Sequence, residues 1–150
     1  MSKVFLSLNF MHCMERFATQ IYRTQKGAFN GTPIAQQLID ASENEKTHVQ
    51  KCRTQIKKLN GKVYPLGWLF QFVGVILGFI TRLCGKRNLF KADSFVEMRA
   101  VKDYNAFIRA IPFDKDTVEL IRVMIADEEV HVINWKKNAE PLAKKKPAPV

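Results

Sequence analysis

Four stretches of this chain have helical periodicity, and each carries a carboxylate in the middle of its apolar stripe. Advancing by three or four residues, the first reads Leu8, Met11, Glu15, Ala18, Tyr22, and the second Leu38, Ala41, Glu45, His48, Cys52, Ile56. The third reads Phe90, Ser94, Glu97, Val101, Tyr104, Ile108, and the fourth Val118, Ile121, Ile125, Glu128, His131, Trp135. Burying four carboxylates without compensation costs several kcal/mol each, against the roughly 5–15 kcal/mol by which a whole domain is stable. Positive charge must therefore sit among them.

The second and fourth stretches add a histidine three residues after the glutamate, at Glu45 to His48 and Glu128 to His131. That spacing puts both side chains on one helical face, one turn apart. Chance placement of eight glutamates and three histidines over 150 positions gives well under one such pair. Two pairs, with two further glutamates in phase, make the Glu-x-x-His arrangement of di-iron and di-manganese carboxylate bundles. Glu43, Glu119, Glu129 and Glu140 lie off the stripes and read as solvated charges. Four carboxylates and two imidazoles, with no thiolate, suit iron or manganese better than a structural zinc. Two divalent cations balance the four negative charges, and six protein ligands leave open positions for dioxygen or a bridging water. Two irons per chain are the expectation, ahead of manganese.

The expected architecture is all-α, a ferritin-like four-helix bundle with an extra apolar helical segment between its second and third helices. Asn30-Gly31, Asn60-Gly61, Pro65, Gly85 and Ile111-Pro112 divide the chain, predicting helices over roughly 3–26, 33–59, 88–110 and 115–138. Thr32 with Pro33 and, later, Asp114 supply start signals, and no run alternates like a half-buried strand. At 150 residues and 47% hydrophobic composition the chain has material for one domain, taken as 1–138. Residues 139–150, AEPLAKKKPAPV, read as a frayed basic tail. Cys13, Cys52 and Cys84 are widely spaced and form no CxxC pair, so neither a disulfide framework nor a thiolate metal site is supported. The first residues lack a small-residue cleavage site, so no removed signal peptide is expected.

The intervening segment, 65–85, contains sixteen consecutive uncharged residues, 66–81. As a helix these span about 24 Å, short of a hydrocarbon core of about 30 Å. A single crossing would also separate Glu15, Glu45 and His48 from Glu97, Glu128 and His131. The segment is therefore expected to lie in one leaflet's interface or over the bundle's edge, with Trp68, Phe70, Phe72 and Phe79 meeting acyl chains or a lipid tail. A helix buried wholly within the protein is the simpler alternative. The net charge of +10 calls for an anionic partner, and Lys57, Lys58 and Lys62 before the segment, with Arg82, Lys86, Arg87 and Lys91 after it, bracket an apolar patch. That placement favours anionic lipid headgroups over nucleic acid. Gly74-x-x-x-Gly78 could let two such helices approach closely, one route to a homodimer.

These residues resemble the demethoxyubiquinone hydroxylases, membrane-associated di-iron enzymes of ubiquinone biosynthesis with a ferritin-like fold. The first motif of that family is similar to His12, Glu15, Ala18, Ile21 and Tyr22, and the second to Glu45, Lys46 and His48. Glu97, Tyr104 and Asn105 resemble the third, Glu128 and His131 the fourth. Pro65, Leu66, Trp68, Gly74, Gly78, Gly85 and Lys86 resemble the family's central segment, which sets it apart from ordinary ferritins and rubrerythrins. The chain departs from the family pattern at Met11, Val132 and Ile133, where polar residues could orient ligands. The resemblance implies a monooxygenase that hydroxylates the ring of a polyprenyl-quinone intermediate with dioxygen and an electron donor. It also implies peripheral attachment to the cytoplasmic or matrix face of an inner membrane. Tyr22 and Tyr104, two turns from Glu15 and Glu97, could bond to ligands or pass protons and electrons, with packing the first reading for Tyr22. The same centre would also serve a ferroxidase or peroxide scavenger without organic substrate, or a metal-stabilised scaffold.

Overall fold

The computed structural model describes residues 2–140. Helix α1 runs Lys3–Gln25 and leads through one 3-10 turn, Lys26–Ala28, into α2, Pro33–Lys58. Then come α3, Gly67–Leu83, α4, Lys86–Ala110, and α5, Lys115–Ala139. No strand occurs among the described residues. The expected tail falls almost entirely in 141–150, outside them.

The helix starts follow local chemistry. The Ser2 hydroxyl accepts from the Val4 amide, and Asp114 accepts from the Thr117 amide and hydroxyl at 3.0 and 2.6 Å. Pro33 opens α2 as its fixed φ favours, but the preceding Thr32 makes no cap bond. Its hydroxyl turns back to the Phe29 carbonyl, 2.7 Å away. Gly85, with φ of 79°, lets the chain reverse between α3 and α4 in a conformation that a residue with a Cβ rarely adopts.

Helices α1 and α2 form one close pair, α4 and α5 the other, and the pairs face each other as an antiparallel bundle. The core between them is split in two. At one end Leu8, Met11, Cys52, Ile56, Tyr104, Ile121, Met124 and Ile125 pack together. At the other are Ala18, Ile21, Tyr22, Leu38, Ala41, Leu89, Phe90 and Trp135. The layer between holds the glutamates and histidines of the stripes, so the polar groups are sealed above and below by apolar side chains.

Helix α3 lies outside this bundle, packed along α1. Gly74 and Gly78 make the close approach possible: a Cβ on Gly74 would stand 2.4 Å from the Phe17 carbonyl oxygen, and one on Gly78 2.9 Å from that of Ile21. The glycine pair thus meets α1 of the same chain, not a second α3. No described helix is long and apolar enough to cross a membrane.

Candidate metal centre

All six residues singled out by the stripes meet in the polar layer. Glu15 comes from α1, Glu45 and His48 from α2, Glu97 from α4, Glu128 and His131 from α5, and every one is buried. His48 Nδ1 lies 3.4 Å from Glu15, 3.4 Å from Glu45 and 3.2 Å from Glu128. His131 Nδ1 lies 3.0 Å from Glu45, 3.6 Å from Glu97 and 3.1 Å from Glu128. The donors form two sets, Glu15, Glu45, His48, Glu128 and Glu45, Glu97, Glu128, His131, each with its ligand atoms within 4.8 Å of one another. Glu45 and Glu128 belong to both, one terminal glutamate and one histidine to each. Each set could hold one cation.

A metal pair also explains polar atoms that otherwise lack a partner. Both carboxylate oxygens of Glu45, Glu128 Oε1 and His48 Nδ1 are buried without a hydrogen bond, which native interiors rarely tolerate. Six oxygen and nitrogen donors suit a hard divalent ion. Without metal, protons carry the compensating charge. Burial, with Glu128, Glu97 and Glu15 alongside, raises Glu45 well above the ordinary carboxyl range. Burial and Glu128 lift Glu97 to about 7. Burial would raise Glu128 too, but the imidazoles of His131 and His48 outweigh it and hold the group at about 2. Against their own burial, His131 is pushed up to about 12 and His48 upward as well by the carboxylates around them. Two imidazolium groups stand where cations are wanted.

The tyrosines bridge the bundle. The Tyr22 hydroxyl, on α1, donates to Glu97 on α4, and the Tyr104 hydroxyl, on α4, donates to Glu15 on α1. Each phenol thus serves the glutamate of the facing helix instead of the one two turns away on its own. Burial foremost, then Glu97 for Tyr22 and Glu15 for Tyr104, keeps both phenols protonated. Trp135 Nε1 donates to the Tyr22 oxygen at 3.2 Å, so Tyr22 is part of a polar chain and not only packing.

One residue of this network escaped the sequence reading. His48 Nε2 lies 2.9 Å from Asp127 Oδ2, the outer carboxylate that fixes which imidazole nitrogen faces inward. Its signal was an acidic residue immediately before Glu128, at the margin of the stripe. Of the departures from the family pattern, Met11 is fully buried in the apolar core and Ile133 is 65% exposed, while Val132 is partly buried. His12 is buried as well but stands away from the centre, beside Arg16 and Arg53. Burial, Arg16 and Arg53 lower it to about 4. The four aromatics proposed for lipid contact divide. Trp68, Phe72 and Phe79 are 63%, 59% and 55% exposed. Phe70 is partly buried, lining an apolar groove of about 290 Å3 with Met14, Phe17, Leu69 and Val73 between α1 and α3.

A four-helix core with one glutamate from each of two helices and Glu-x-x-His from each of the other two defines the class, a ferritin-like carboxylate bundle. Within that class the chain belongs to the family of the ubiquinone biosynthesis protein COQ7, whose profile matches residues 8–147. Membership assigns it a role in ubiquinone biosynthesis. A search of curated proteins returned no match.

Proposed function

We propose that the protein is a di-iron monooxygenase that hydroxylates the ring of a polyprenyl-quinone intermediate, of demethoxyubiquinone type, at a membrane surface. The observation that carries this reading is the pair of donor sets sharing Glu45 and Glu128, in a chain of the COQ7 family. Iron bound there supplies the reductive activation of dioxygen. The surrounding chain holds and shields it. Glu15 and Glu97 would each help hold one ion, and each is oriented by a phenol from the facing helix. Asp127 accepts from His48 Nε2 and keeps Nδ1 directed inward. The apolar clusters on either side exclude bulk water from the layer.

The polyprenyl tail has an apolar route. The groove of Met14, Phe17, Leu69, Phe70 and Val73 is lined by apolar side chains, and the outer face of α3 presents Trp68, Phe72 and Phe79. That face supports α3 as a helix lying in a leaflet's headgroup region, with flanking lysines and arginines on anionic lipid. Attachment is then peripheral, on the cytoplasmic or matrix face of an inner membrane, where the quinone pool and a separate electron donor are both within reach.

A second reading has its own support. A polar recess of about 290 Å3, lined by Asp40, Asn44, Asp127 and Asn134 among others, opens on His131. Such a mouth suits hydrated iron or peroxide better than a prenyl chain, as a ferroxidase or peroxide scavenger needs. Iron-loaded protein supplied with a short-chain demethoxyquinone, a reductant and isotopically labelled oxygen separates the two. One labelled oxygen atom in the product ring is the expected result. Iron oxidation or peroxide consumption with unchanged quinone would replace the first reading by the second.

A further inference from the structure

Between the middle of α1, the last turns of α2 and the loop that follows α2, a recess of about 540 Å3 is lined by His12, Arg16, Arg53, Lys57 and Lys62, and by no acidic side chain. Among the described residues, the lysines and arginines that pair with a carboxylate are Lys46 with Glu43, Lys58 with Asp116 and Arg99 with Asp103. Among the described residues none of Arg16, Arg53, Lys57 and Lys62 is paired with a carboxylate. Arg53 and Lys57 stand four apart on α2, a like-charge spacing that opposes helix formation.

The recess has a buried wall on α1 beside the exposed cations Arg53, Lys57 and Lys62. Its α1 wall holds His12, 1% exposed, whose Nδ1 has no hydrogen-bond partner, and neither has the buried Nε of Arg16. Arg16 is itself fixed, its Nη2 donating to Gln71 of α3 at 2.7 Å. The loop that carries Lys62 is pinned by buried Asn9, which donates to the Lys62 carbonyl at 3.1 Å and accepts from the Tyr64 amide at 2.7 Å. Four positive charges, with the unpartnered Nε–H of Arg16 and an unpartnered imidazole nitrogen beside them, surround a cavity that lacks one component, an oxyanion.

We propose that this recess binds a phosphate group, with Arg16, Arg53, Lys57 and Lys62 disposed around its oxygens. Guanidinium groups match phosphate geometry and lysines add charge. Two sources present that group: the phosphomonoester head of an anionic lipid, or a soluble phosphate compound. The recess adjoins the start of α3, where a Cβ on Gly67 would stand 2.8 Å from Arg16 and where Trp68 is exposed, which favours the lipid. The inference does not depend on what the metal centre does.

The test uses the full chain at constant ionic strength and two probes, inorganic phosphate followed by calorimetry, and phosphatidylcholine vesicles with and without phosphatidic acid followed by sedimentation. Arg53→Gln with Lys57→Gln, both exposed, removes half the cations. Lys136→Gln with Lys137→Gln on α5 removes equal charge elsewhere. Phosphate binding weakened about tenfold or more by the first pair, and less than about twofold by the second, is the expected result. Selective binding to phosphatidic acid vesicles that inorganic phosphate displaces, lost with the first pair, identifies the lipid source. Phosphate binding without such vesicle binding identifies a soluble one. No phosphate binding, or equal losses from both pairs, overturns the proposal.

Discussion

Asp127 touches His48 on the side away from the cluster, and its effect there is one of orientation. Removing the carboxylate frees the ring to turn and lowers the basicity of Nδ1. Asp127→Asn is therefore expected to weaken iron binding about 10–100-fold with little change in helix content, measured by competition with a chelator and by circular dichroism. Asp93 acts through charge. Buried one turn before Glu97 and accepting from Gln25 Nε2 at 2.7 Å, it is raised by burial to about 8 from an ordinary value near 4. The unfolded chain loses this proton near pH 4 and the folded chain near pH 8. Its contribution to stability is thus complete below about pH 4 and is lost as pH rises to 8, at up to about 1.4 kcal/mol per pH unit. Asp93→Asn should gain on the wild type progressively from pH 5 to pH 8 in urea unfolding of metal-free protein; parallel profiles would show that Asp93 is ionised throughout. The convergence of these six buried residues was legible in the sequence because burial of carboxylates on four stripes has few physical solutions. Asp127 and Asp93 were not, because a single acidic residue beside a stripe looks like any solvated charge until its partner is in place.

At the scale of elements, the helix limits followed closely from turn residues and periodicity, since Gly, Pro and capping side chains act locally. The packing of α3 did not. A G-x-x-x-G pattern says that a backbone comes close without saying whose, and the partner here is α1 of the same chain. The tyrosines show the same limit: Tyr22 and Tyr104 are seven residues from a glutamate on their own helices, yet bond across the bundle because long side chains reach a facing helix more easily than two turns along their own. Gly74→Ala places a methyl group 2.4 Å from the Phe17 carbonyl oxygen and must push α3 outward. A loss of about 1–3 kcal/mol in thermal or urea unfolding is expected, and unchanged stability would show that α3 is not held on α1 in solution.

For the whole molecule, apolar surface and charge are arranged together. Trp68, Phe72, Phe79 and neighbouring aliphatic side chains of α3 form a continuous exposed face, larger in character than the scattered apolar residues of ordinary surfaces. Trp68→Ser, Phe72→Ser and Phe79→Ser together are expected to reduce sedimentation with anionic vesicles by at least about tenfold, and equal partitioning would remove the membrane from the account. The length and charge of this segment were enough to anticipate a helix that does not span, but only the fold shows which side faces outward and that Phe70 turns toward α1.

The central claim is that Glu15, Glu45, His48, Glu97, Glu128 and His131 together hold two irons. Elemental analysis of protein loaded anaerobically with ferrous iron and freed of excess tests it most directly. About two irons per chain, with both lost in Glu45→Ala because that carboxylate belongs to both donor sets, is the predicted result. A single ion per chain, or two irons retained in Glu45→Ala, would contradict it.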